Sequence, residues 1–331
     1  MDRFVFFGGK GGVGKTTVSS AYAHRCAREG VETLLVSTDP AHSTADVFDQ
    51  SFDDEPTRVE GYDALSAMEI DPEEAVDEHL LEIRRALGDQ VSPSIVNEID
   101  RQIELAHRTP GAHEAALFDR FVDVMRAADG EGDGDGDGSG DAGAYDRVVF
   151  DTSPTGGTLR LLSLPEYLGG WIDRLASKRE ESLRLFERAA LGDREPRRSR
   201  VGDPILARLR ERKETFEFAG EALREEAAFY LVLNPDQLSI RETRRAVDSL
   251  REQDLGVEGL VANRLTPSPD DDEDGRGARF LRERVATERE RLGEVRESLD
   301  PPLVGTVEAR VREVKGELLG AVADELDVPV A

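Results

Sequence analysis

Apolar residues along this chain alternate between two patterns. Short unbroken runs at Phe4–Phe7, Thr33–Ser37, Arg147–Phe150, Phe229–Asn234 and 259–263 have the length and β-branched or aromatic content of buried strands. Between them, apolar positions recur at spacings of three and four. Val18, Ala21 and Tyr22 open one such stretch; Leu80, Leu81, Ile83 and Leu87, then Ile95, Ile99, Ile103 and Leu105, mark a long helical part from Glu73 to Ala128. LSIRETRRAVDSLRE predicts a helix from Leu238, and Leu281, Val285, Leu292, Val295 and Leu299 share one face of another. Strand and helix in alternation predict an α/β fold, a mostly parallel sheet flanked by helices, with a helical subdomain. The stretch DGEGDGDGDGSGDAG, 129–143, is too polar and glycine-rich to order itself and is expected to be a disordered surface loop. A length of 331 residues suggests about two domains, but open α/β sheets with insertions run this long as one unit. The expectation is a single domain over 1–331 with helical insertions at about 73–128 and 178–220.

Chemistry enters directly after the first strand. Residues 8–17 read GGKGGVGKTT, in which Gly9, Gly14, Lys15 and Thr16 satisfy the P-loop spacing. Glycine flexibility lets the backbone N–H groups from Gly9 through Thr17, including those of Gly11, Gly12 and Val13, close around a phosphate. Lys15 reaches the β/γ-phosphates of ATP, Thr16 offers its hydroxyl to Mg²⁺, and the following helix adds its positive end. Strand, loop and helix fall in the order this mechanism requires, so the chain reads as a P-loop NTPase. The strand at 33–37 ends in DPAHSTADVF, residues 39–48, where ligands sit in open α/β sheets. A carboxylate there, Asp39, is placed to orient water for attack on a γ-phosphate. Asp151, which ends the run RVVFD, occupies the position where a carboxylate holds Mg²⁺ through water.

A second lysine, Lys10, sits inside the loop. With it, GGKGGVGKTT resembles the deviant P-loop of dimeric nucleotide-switch ATPases, the MinD, ParA, nitrogenase iron protein and ArsA/Get group. The resemblance implies that Lys10 reaches across a homodimer interface to the partner's nucleotide. DPAHS with Asp46 and Phe48, AMEIDP at 67–72 and DTSPTGGTLR at 151–160 are similar to motifs of the ArsA/Get ATPases in particular. By that resemblance Asp39 is the catalytic carboxylate, and Glu242 in SIRETRR and Asn263 in GLVANR lie near the nucleotide's base and ribose. PGAHEAALFDRF from Pro110 and the terminal PPLVGTVEARVREVKGELLG also resemble family segments, so the likeness covers most of 3–326. Gly157 stands where the family pattern has a histidine, which puts in doubt any relay role of that side chain.

Charge narrows the partners. The net charge is −27, and only five of the 43 basic residues are lysine, at 10, 15, 178, 213 and 315. An acidic, lysine-poor surface keeps a protein soluble near molar salt, where the Debye length falls to about 3 Å, and implies a halophilic setting. The same charge argues against nucleic acid and against adsorption to anionic lipid. No apolar run approaches a membrane span and no signal segment opens the chain, so a cytoplasmic protein without direct membrane insertion is expected.

Two departures bear on function. The lone Cys26 cannot supply the thiolates that the resemblance gives arsenite-pump ATPases, nor those of a zinc or iron–sulfur site, so neither metal centre is expected. Targeting ATPases of the family cradle a membrane helix on Met-rich helices, yet this chain has three Met. Leu117, Phe118 and Phe121, with Ile95, Ile99 and Ile103, are the candidates for such a surface; the alternative is that they pack the helical layer onto the sheet. Three readings stay open. One is a switch that targets C-terminal membrane helices of tail-anchored clients, with a membrane receptor as a further partner. The others are an arsenite or anion-transport ATPase subunit and a MinD- or ParA-like regulatory switch.

Overall fold

The computed structural model describes residues 2–38, 43–71, 112–129, 145–152, 173–174, 177–178 and 204–330. The loop expected at 129–143 and the helical pattern of 73–111 lie almost wholly outside them. Eight strands form one sheet in the order β3-β4-β2-β5-β1-β6-β7-β8. They are β1 (Phe4–Gly9), β2 (Thr33–Ser37), β3 (Thr57–Arg58), β4 (Leu65–Glu69), β5 (Arg147–Asp151), β6 (Ala227–Leu233), β7 (Val257–Leu265) and β8 (Leu303–Glu308). Among these described strands the pairings are parallel except that of β3, antiparallel to β4 on the edge of the sheet. The described helices are α1 (Lys15–Arg28), α2 (Ser43–Phe48), α3 (Ala112–Ala128), α4 (Pro204–Glu225), α5 (Gln237–Arg251), α6 (Arg276–Ser298) and α7 (Glu317–Ala323). The α/β architecture read from the apolar runs is the one observed.

Two compact units divide the chain, residues 1–161 with 226–331, and residues 162–225. The sheet belongs to the first. Within the second, α4 buries Thr215, Phe216, Ala219, Ala222 and Leu223 at helical spacing, and Lys213 pairs with Asp173 at 2.8 Å.

Strand β1 is buried on both faces, as its unbroken apolar run requires. On one face Phe6 stacks between Phe150 and Phe229, with ring centroids 4.5 and 4.9 Å away. Phe121 of α3 packs on Phe150 at 5.0 Å, and Leu117 and Phe118 are buried with it. Phe121 thereby packs α3 onto the sheet. On the other face Phe7 meets Tyr22 of α1 and Tyr230. Helix α1 buries Val18, Ala21, Tyr22 and Cys26 completely and places Arg25 and Arg28 in its last turn, where they complement the helix dipole.

The register places all the relevant carboxyl ends together. Phe7 is opposite Asp151, and Ser37 is opposite Asp151 from the other side, so β1, β5 and β2 end on one rim. At the opposite rim the chain's last residues are sealed in: Val328 and Val330 are buried, Tyr22 donates to the Pro329 carbonyl at 2.8 Å and Arg147 to the Val330 carbonyl at 2.8 Å.

Candidate active site

The loop between β1 and α1 is shaped by glycines with positive φ: Gly9 at 149°, Gly12 at 80° and Gly14 at 89°. Two positions admit nothing larger. A Cβ on Gly9 would lie 2.3 Å from the Val232 carbonyl of β6, and one on Gly14 would lie 2.3 Å from Asn263 Nδ2. Val13, 1% exposed, anchors the loop in the core. Helix α1 starts directly after Gly14 with no side-chain cap and no acidic residue in its first turn. Its first amides and the positive end of its dipole therefore point at whatever the loop encloses, which suits an anion.

Lys15 Nζ lies 3.5 Å from the Lys10 carbonyl, which holds its side chain back over the loop. Thr16 Oγ1 donates to Asp151 Oδ2 at 2.6 Å. Asp151 is 1% exposed, and the exit of β5 is fixed around it: Thr38 N–H donates to the Asp151 carbonyl at 3.1 Å and Thr152 Oγ1 to the Phe7 carbonyl at 2.9 Å. A hydroxyl and a carboxylate converging beside an anion site fit a hard cation such as Mg²⁺, which Thr16 and Asp151 would hold.

Three further sequence candidates gather at the loop. Lys10 Nζ lies 4.0 Å from Glu242 Oε2 of α5, with about a third of each side chain exposed. Asn263 Nδ2 donates to the Val13 carbonyl at 2.8 Å. Asn263 also walls a cavity of about 440 Å³ with Thr17, Val307, Arg310 and Lys315, the space beside the loop that a nucleoside would need. Asp39 and Gly157 lie outside the described residues.

Two residues were missed by sequence reasoning. Arg264 Nη1 donates to the Gly12 carbonyl at 2.8 Å, and its only signal is its place after Asn263 in GLVANR. Glu69, 6% exposed, ends β4 and accepts from Thr44 N–H at 3.1 Å and Ala45 N–H at 3.0 Å, so it caps the helix that follows DPAHS. An acidic residue closing the apolar strand next to β2, whose exit carries DPAHS, is the available clue.

The sequence matches the anion-transporting ATPase family over residues 2–327. The chain belongs to that family. An Aquifex aeolicus protein assigned as arsenical pump-driving ATPase 2 is 32% identical over 293 residues, 88% of each chain. ATPase ASNA1 homolog 1 of Paramecium tetraurelia is 32% identical over 81% of this chain and 76% of its own. ATPase GET3 of Candida albicans is 32% identical over 82% and 75%. This anion-transporting ATPase family member is accordingly a nucleotide-binding ATP hydrolase. No helix among its described residues is long and apolar enough to cross a membrane.

Proposed function

We propose that this ATPase works as a Mg²⁺-dependent, nucleotide-switched homodimer in the cytoplasm, and that it delivers tail-anchored membrane proteins by their C-terminal apolar helices. The observation that carries the switch is Lys10, which leans on Glu242 at the mouth of the loop, 4.0 Å away, partly exposed and free to exchange that weak contact for a partner's nucleotide. Similarity to GET3 and ASNA1 ATPases over four fifths of the chain supports the targeting role.

In the catalytic cycle Lys15 and the amides of Gly9–Thr17 stabilise the transferring phosphoryl group, and Lys10 adds charge from the second subunit. Asp39 orients the attacking water. Thr16 and Asp151 are the residues that would hold Mg²⁺, which would supply charge neutralisation at the phosphate oxygens. The cavity beside Asn263 takes the nucleoside, with Glu242 nearby.

An arsenite-pump role, suggested by the Aquifex relative, is the weaker reading. Cys26 is buried on the inner face of α1, and burial pushes its thiol up to about 11, so it stays protonated and is a poor metalloid ligand. The deciding experiment is co-purification of an Asp39→Asn protein with a client ending in one membrane helix, against the same client without it. Helix-dependent recovery with ATP is expected. Equal recovery would remove the targeting role and leave a regulatory switch of the MinD or ParA kind in its place.

A further inference from the structure

We propose that Asn263 and Arg264 form a clamp that holds the phosphate-binding loop in its working shape, with Arg264 as a positioning residue for ATP hydrolysis. The proposal rests on the loop being the phosphate site, and its test separates the two.

The loop has a problem built into it. Its glycines reach positive φ, which the cradle needs, but the same freedom lets their peptide planes turn over. Something outside the loop must fix them. In a trans peptide the C=O and the next residue's N–H point in opposite directions, so holding a carbonyl outward turns the following amide inward. Arg264 Nη1 holds the Gly12 carbonyl at 2.8 Å, which directs the Val13 N–H away from Arg264 and toward the Lys10 carbonyl across the loop, 3.4 Å away. Asn263 Nδ2 holds the Val13 carbonyl at 2.8 Å, which directs the Gly14 N–H away from Asn263. Two consecutive peptides are thus set by two consecutive residues of β7.

That arrangement has a structural cost which points to purpose. Arg264 sits at φ 60°, a left-handed conformation uncommon for any residue but glycine. The pairing of β7 with β8 shifts once between Leu260 and Val261, sets Val261 opposite Gly305 and Ala262 opposite Thr306, and shifts again before Leu265 opposite Glu308, so one extra residue of β7 is accommodated where Asn263 and Arg264 lie. Such a bulge re-aims side chains beside active sites. Its conformation is locked by the Arg264 N–H donating to Asn263 Oδ1 at 2.8 Å and by Ala309 N–H donating to the Leu265 carbonyl at 2.7 Å. Gly14 fits the same scheme, since Asn263 Nδ2 occupies the space its Cβ would need.

A clamp differs from a base contact or a simple positive charge in what it affects. Pyrophosphate carries the phosphates and no base, so it reports on the cradle alone. Affinities for pyrophosphate and ADP are measured for the wild type, Arg264→Ala, Arg264→Gly and Arg264→Lys, with hydrogen–deuterium exchange of the 9–15 segment in nucleotide-free protein. Both Ala and Gly variants are expected to weaken pyrophosphate and ADP alike by about five- to tenfold and to speed exchange in the loop. The Gly variant, relieved of the left-handed strain, is expected to melt no lower than the wild type, so its weaker binding does not come from unfolding. Loss of ADP affinity with pyrophosphate unchanged would assign Arg264 to the base and overturn the clamp. Unaltered loop exchange would overturn it too, as would full retention of binding and exchange by Arg264→Lys together with unaltered exchange in Arg264→Ala, which is the pattern of charge alone. Lys15→Ala serves as the separate check: if it leaves pyrophosphate affinity intact, it is the phosphate-site assignment that fails.

Discussion

Thr16 Oγ1 and Asp151 Oδ2 are 2.6 Å apart, joining the first turn of α1 to the last residue of β5. A hydroxyl and a buried carboxylate brought together at a phosphate loop are expected to act as one unit toward Mg²⁺. Asp151→Asn keeps the shape but removes charge, and Thr16→Ala removes the hydroxyl. Each is expected to lower turnover by about a hundredfold or more, with the Mg²⁺ concentration for half-maximal rate shifted upward. Double substitution should cost little beyond the worse single change, since both act on the same ion. Steady-state ATPase assays across a Mg²⁺ series read both effects; an unshifted Mg²⁺ requirement in Asp151→Asn rules out the pairing.

Lys10 and Glu242 give a prediction about assembly. The contact is 4.0 Å long and partly exposed, so it contributes little to stability in the isolated chain. Glu242→Gln is expected to release Lys10 and tighten nucleotide-dependent dimerisation severalfold, while Lys10→Ala abolishes it and leaves monomer nucleotide affinity near wild type. Light scattering with a non-hydrolysable ATP analogue, before and after chelation, distinguishes these outcomes. A dimer that persists in Lys10→Ala, or that dissociates on chelation of transition metals with Mg²⁺ held constant, contradicts the scheme.

A histidine far from the loop sets a pH response. Tyr62 Oη and His24 Nδ1 are 2.6 Å apart. Burial is the main cause that lowers the His24 pKa, the Arg28 charge adds to it, and Asp324 opposes it. Burial raises that of Tyr62, so the phenol stays protonated and donates to a neutral imidazole. Because the folded value is depressed, the unfolded state takes up the proton first as pH falls. Stability from His24 is therefore present above pH of about 6.5 and is lost as pH drops through the folded value. Melting temperatures between pH 8 and pH 5 should fall less steeply in His24→Gln than in the wild type; parallel curves would exclude His24 as the cause.

Net charge yields the fourth prediction. With −27 on one chain, self-repulsion is unscreened at low ionic strength. The melting temperature is expected to rise steadily through a potassium chloride series into the molar range. A salt-independent melt would remove the halophilic reading.

The strands were legible because burial on both faces forces unbroken apolar runs, and Thr33–Ser37 and Arg147–Asp151 carry the boundaries read from sequence. Two-residue β3 left no such trace, being a polar edge strand. The phosphate loop was legible because its glycines answer to backbone geometry. Arg264 and Glu69 were not, since both act on backbone groups of distant residues, and a backbone carbonyl or amide looks the same in every sequence. Asn263 was found by family likeness, yet its bond to the Val13 carbonyl gives it a task that likeness did not suggest.

The position of β1 between β5 and β6 has a consequence for how the protein is born. The phosphate loop leaves the ribosome well ahead of Val232, Glu242, Asn263 and Arg264, which shape or face it and follow more than 200 residues later. A nascent chain that ends after β5 would carry β1 as an unpaired apolar edge, open to wrong pairing. Nucleotide competence thus arrives late in synthesis, and the interval before it is when this chain most needs protection from its neighbours.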